Sequence, residues 1–189
     1  MARLPEPRTE AMRELARQLR FQPAEASRRQ LLRAEELALQ LLTEYEPERR
    51  WPAEWVIFRI TGYRTEEQSL TLTGTLTGAA LLHDLAALIQ ILSAAAGENE
   101  QQLLAAERTR WMTADQLGER WKVSRQTLDR YRELGLFSRR VRVERIKGQR
   151  TPPQRALFDS QVIEAFERAH ADRLKGAKSF TRTDEHFAQ

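Results

Sequence analysis

The sequence contains no cysteine. That excludes a disulfide framework, a thiolate zinc site and a cysteine nucleophile together. Histidine is nearly as scarce. His83, His170 and His186 are scattered along the chain and lack the spacing of a metal site. Hydrophobic residues make up 41% of the chain and charged residues 31%, so the core is modest. The 189 residues suit one ordinary domain or two small ones. No apolar run approaches the roughly 20 residues that a membrane helix needs. The nearest, GAALLHDLAALIQILSAAAG, is interrupted by His83, Asp84 and Gln90 and reads as a buried amphipathic helix. The first residues carry early acids and no apolar core of a secretory signal. There is no G-x-G-x-x-G, P-loop, G-x-S-x-G or H-E-x-x-H. His83 and Asp84 are adjacent, but helix neighbours point about 100° apart, so no dyad is expected. The expectation is a cytoplasmic protein that is not an enzyme, needs no cofactor or metal, and does not enter a membrane.

What the chain does have is positive charge in one place. The net charge is +4. Residues 1–109 hold 13 basic and 16 acidic side chains, a net of −3. Residues 110–155 hold 13 and 5, a net of +8. Residues 156–189 hold 5 and 6, a net of −1. A basic segment between mildly acidic ones is the electrostatic footprint of a polyanion-binding module.

The first half predicts an α+β module over residues 1–97, in the order α-α-β-β-α. Residues 9–20 place Met12, Leu15 and Leu19 at helical spacing. Pro23 breaks that pattern, and residues 24–44 resume it with Leu31, Leu32, Leu39 and Leu42. EWVIFRIT, rich in β-branched and aromatic residues, reads as a strand. SLTLTGTLT alternates leucine with threonine and reads as its hairpin partner. Thr77 then caps a helix whose stripe runs from Leu81 to Leu92, and Gly97 ends it. Residues 98–110 read as a helical linker. Trp51 and Trp55 read as core, with a partner-facing pair as the rival reading.

Residues 111–170 carry the chemistry. Thr113 and Gln116 form a T-x-x-Q capping box that opens a helix at Ala114. Leu117 and Trp121 lie one turn apart, Lys122 and Val123 break the helix, and Ser124 caps the next. Leu128, Tyr131 and Leu134 share a face, and Gly135 supplies a left-handed exit. That is a helix-turn-helix. The packing leaves Arg125, Gln126, Asp129 and Arg130 at the exposed start of the second helix. Arginine forks onto guanine O6 and N7, glutamine onto adenine N6 and N7. Ser124, Thr127 and the free N–H groups of the helix start suit a phosphate. Val141 and Val143 then alternate with Arg140, Arg142 and Glu144 in a short strand. KGQRTPPQ turns the chain, RALF returns it, and Asp159 caps a last helix. A hairpin after such a helix is a wing, with Arg140, Arg142, Lys147, Arg150 and Arg155 placed for phosphates or the minor groove. Trp111, Trp121 and Tyr131 read as core. Residues 171–189 read as a polar tail or the start of a further element.

The elements V-S-x-x-T-L-x-x-Y, the following G-L, and L-F-D-x-x-x-I-E-A-F resemble the winged helix-turn-helix of the MerR and excisionase superfamily. The likeness covers roughly a third of the chain. It implies that the second helix enters the major groove, with Ser124, Arg125, Thr127 and Arg130 in contact, and that the wing grips the backbone. DRYRELG departs from that family's usual R-Y-Y-E-x-x-G, and its long dimerisation coiled coil is not seen. WPAEWVIFRITGYR, LTGAALLHDLAALIQILSAAAG and the helix-turn-helix together are more weakly similar to the front part of bacterial sigma-factor-like proteins. The implied partners are double-stranded DNA and, through residues 1–97, RNA polymerase or another transcription protein. The rival of a different class is an interaction adaptor, kept open by Asp129 and Glu133 on the second helix. An excisionase-like architectural role is a third.

Overall fold

The computed structural model describes residues 5–63, 74–144 and 153–174. The chain is mainly helical α+β, as its periodicities predict. Helices α1 (Glu10–Leu19) and α2 (Ala24–Glu44) come first. Strand β1 (Arg50–Pro52), helix α3 (Ala53–Thr61) and strand β2 (Thr75–Thr77) follow, leading into α4 (Gly78–Ala96). After α5 (Glu100–Glu107) and a 3₁₀ turn at Arg108–Arg110 come β3 (Trp111–Thr113), α6 (Ala114–Trp121) and α7 (Arg125–Glu133). The wing is β4 (Arg139–Arg142) and β5 (Gln154–Asp159), and α8 (Ser160–Ala169) closes the series.

One expected element is of the wrong type. EWVIFRIT is not a strand; most of it forms α3, so the first half runs α-α-β-α-β-α. Val56, Ile57 and Ile60 are buried and lie on one helical face. Pro52 and Gly62 punctuate the two ends, Gly62 in the left-handed region at φ 78°. β-branched residues disfavour a helix by only tenths of a kcal/mol each, and burying three of them outweighs that. The pairing expected in this region does exist, but through Arg50–Pro52. β1 runs antiparallel to β2 with Trp51 opposite Leu76. Residues 69–73 of the other expected strand lie outside the described residues.

Helix α4 is the centre of the molecule. Leu81, Leu85, Leu88, Ile89 and Leu92 are fully or almost fully buried. Each such side chain contributes roughly 1.5–3 kcal/mol relative to exposure. The helix is long and apolar enough to pass for a membrane span, yet most of it lies inside the protein. One wall is α2, with Leu31, Ala34, Leu37, Ala38 and Leu41 buried, whereas Leu32 points out at 53% exposure. The same core continues past residues 98–110 to Leu117, Trp121, Leu128, Tyr131, Val162 and Phe166. The two expected modules therefore share one core. A smaller cluster of Trp111, Val141 and Leu157 sits under Leu103 and Leu104 of α5. Leu174 is buried too, so the segment expected as a tail begins packed against the core.

The second sheet has the order β3-β5-β4, antiparallel throughout. β4 is an edge strand, and the end of α4 covers it. The Arg140 amide donates to Ser93 Oγ at 2.8 Å, and the Arg142 amide donates to the Glu98 carbonyl at 2.8 Å. Edge donors that would otherwise face water or another chain are thereby satisfied.

Candidate nucleic-acid interface

The helix-turn-helix forms as its capping residues dictate. Thr113 Oγ1 accepts from the Gln116 amide, and the Gln116 side chain accepts from the Thr113 amide. Lys122 takes a left-handed conformation, φ 54°, and the Val123 amide closes the turn onto the Gly118 carbonyl at 3.0 Å. Ser124 Oγ accepts from the Thr127 amide at 3.2 Å. Trp121 packs edge-on to Tyr131 and stacks with Phe166, while its Nε1 donates to Glu167 at 2.7 Å. Tyr131 and Trp111 are buried as well. Trp51 is buried and stacks on the partly buried Trp55, with Arg49 over its ring at 4.2 Å.

At 100° per residue, the burial of Leu128 and Tyr131 turns Gln126, Asp129, Arg130 and Glu133 to solvent, with Arg125 at one margin. Arg125, Gln126 and Arg130 are exposed, and no carboxylate among the described residues pairs with either arginine. Ser124 and Thr127 hydroxyls lie 3.1 Å apart. Each hydroxyl has one proton, so the pair shares one and keeps one for an outside acceptor.

The wing residues divide. Arg140 on β4 and Arg155 on β5 face the same cleft as Arg125. Arg155 is also tied to Glu100 at 2.8 Å. Arg142 is exposed, and its guanidinium lies over Gly97 at the end of α4, where a cation meets the negative end of the helix dipole. Lys147 and Arg150 lie outside the described residues. The site expectation is therefore brought together at Arg125, Arg140 and Arg155, while Arg130 stands on the other margin of α7.

Two arginines that the residue pattern did not single out matter here. Arg132 lies two turns along the same face as Arg125, half sunk beside Phe158, and its Nη1 donates to Asp129 at 3.0 Å. Burial, with Arg125 and Arg140 nearby, holds its pKa below the usual arginine value, against the pull of Asp129. Helical spacing alone could have flagged it, since residues seven apart share a face. Arg139 is buried and bridges Glu35 of α2 at 2.6 Å and Glu98 at 3.0 Å. Burial acts to lower its pKa, but the hydrogen bond and charge of Glu35 and the charge of Glu98 outweigh it, so it is raised. No local signal could have found a partner more than a hundred residues away.

The His83–Asp84 expectation is also corrected. His83 Nδ1 lies 3.0 Å from Asp84 Oδ1. The 100° rule separates Cβ directions, and the imidazole is long enough to span the gap. Asp84 is fully buried and accepts from the Arg8 and Thr9 amides at 2.7 and 3.0 Å and from the Thr9 hydroxyl. Its carboxylate anchors the start of α1, whose cap residue Thr9 makes no side-chain bond to the helix's own amides and turns its hydroxyl to Asp84 instead. Among the described residues no cluster of His, Asp and Glu could hold a metal ion.

No protein-family model, curated protein or solved structure matches this chain.

Proposed function

We propose that this chain is a DNA-binding regulator of transcription initiation that uses α7 and the wing to grip duplex DNA. The observation that carries the reading is the solvent face of α7. Arg125, Gln126 and Arg130 stand exposed there with neither arginine neutralised by a described carboxylate. A supporting feature is the basic wing beside it, whose β4 amides are held by Ser93 of α4 and by Glu98. Lys and Arg side chains neutralise phosphates and release counterions, while Gln126 and the arginines reach base edges. With roughly four to six phosphate contacts, log K falls with log salt at a slope of about −4 to −5. Residues 1–97, with Phe21, Leu32, Phe58 and Tyr63 among their exposed apolar side chains, are the proposed place for a protein partner such as a polymerase subunit.

The test is fluorescence anisotropy with labelled random duplex DNA across a salt series. The Arg125→Ala/Arg130→Ala double variant is expected to weaken binding by roughly 2–4 kcal/mol and to flatten the slope by about two. Binding that ignores the variant, or none at low salt, sinks the reading. The second reading, an adaptor that docks on the transcription machinery, draws on the acidic Asp129 and Glu133 sharing the exposed face of α7. It predicts capture of a polymerase subunit without DNA.

A further inference from the structure

A half-open cleft of about 510 Å³ lies where α7, the wing, α4 and the segment before α1 meet. Its α4 wall presents His83, Ala86, Ala87 and Gln90, a single helical face whose alanines leave the space. Its other walls carry Arg8, Arg125, Arg132, Arg140 and Arg155 against Glu6, Asp129 and Glu133, a net of +2. All three acids have partners of their own. Asp129 holds Arg132 at 3.0 Å, and Glu133 holds Arg8 at 3.5 Å. Arg125 has no described carboxylate, and the Arg132 Nε is buried without an acceptor.

We infer that this cleft is a binding site for a phosphate group, assembled jointly by the recognition helix, the wing and α4. Three features choose phosphate. The lining arginines outnumber the lining acids, and the cleft stays net positive even when Glu100, which holds Arg155 at 2.8 Å, is counted. The cations are all arginine, whose planar fork fits phosphate oxygens two at a time. The mutual repulsion of Arg125, Arg132 and Arg140, which helps to hold the Arg132 pKa down, is relieved by an anion between them. The same chemistry is carried by a DNA backbone phosphate and by a free phosphorylated small molecule, and the volume admits either. In the first case the inference deepens the DNA-binding reading; in the second it stands apart from it.

The buried Arg132 Nε–H is the reporter. The full chain, labelled with ¹⁵N-arginine, is titrated with pyrophosphate, with chloride at matched ionic strength, and with a short random duplex. Arg132→Gln assigns the resonance, and circular dichroism checks that the variants fold. A saturable shift with pyrophosphate and none with chloride supports the site and a free ligand. A shift with the duplex alone supports the site with a backbone phosphate. Arg125→Gln changes an exposed side chain with no carboxylate partner among the described residues and is expected to weaken either response about tenfold. If neither pyrophosphate nor duplex moves the Arg132 signal, the site is overturned, even where anisotropy shows DNA binding and the DNA reading survives. If pyrophosphate moves it and no DNA binds, the site stands and the DNA reading fails.

Discussion

At the scale of single residues, two buried polar groups set the conditions for stability. Asp84 is fully buried and accepts three hydrogen bonds from the start of α1. Asp84→Ala would leave those donors unpaired, and a loss of about 2–4 kcal/mol in urea denaturation is expected. A loss below about 0.5 kcal/mol would show that water replaces the carboxylate. His170 is the second group. Its ring lies against Tyr45 and Phe166, with centroids 4.6 and 4.4 Å away. Burial holds its pKa below 6.5, the nearby Arg173 acts in the same direction, and a hydrogen bond to the Leu134 backbone opposes them. The unfolded chain therefore takes up a proton that the folded chain resists. Stability is full above pH 6.5 and falls as pH drops through the lowered folded value. The Tm difference between pH 7.5 and pH 5.5 is expected to shrink in His170→Phe, whatever that variant's absolute stability.

At the scale of elements, the exit of α7 is a tight junction against α4. Gly135 has φ 102°, and a Cβ there would sit 3.1 Å from Leu82 Cβ of α4. Gly135→Ala combines left-handed strain with contact on a core helix, so a cost of about 1–3 kcal/mol is expected. Because α7 would be displaced, the DNA-binding proposal also expects this variant to bind duplex DNA more weakly than its exposed neighbour Glu133→Gln does, read by anisotropy. Element type was legible where caps and periodicity agreed. Thr113, Ser124, Asp159 and Thr77 each cap the helix their positions predict. The exception is α3, because a short apolar run such as Trp55–Phe58 serves a strand and a packed helix equally well. What decides the matter is the buried trio Val56, Ile57 and Ile60, which shares one helical face in an element packed on α2.

At the scale of the whole molecule, the two halves lock through α4 and α2. α4 covers the edge of β4, α2 packs on α8, and Arg139 ties the wing to Glu35 and Glu98. Removing one partner of a buried charge cluster typically costs about 3–5 kcal/mol, so this bolt resists separation. Urea unfolding is expected to be a single transition, with circular dichroism and tryptophan fluorescence coincident. Residues 98–189 alone are expected to lack native near-ultraviolet circular dichroism, because α4 would be missing from their core. Two separated transitions would show that the modules fold independently.

The sequence by itself determined the mainly helical α+β class, the helix-turn-helix with its caps, the exposed turn of α7 and the concentration of charge in residues 110–155. Those depend on spacings of three and four residues and on local hydrogen bonds, which a one-dimensional pattern carries. Only the tertiary structure decided the shared core, the burial of Arg139 between Glu35 and Glu98, and the cleft that gathers Arg125, Arg132, Arg140 and Arg155. Such contacts join elements far apart in the chain. They depend on how α4 packs against its neighbours, and no local pattern encodes that distance.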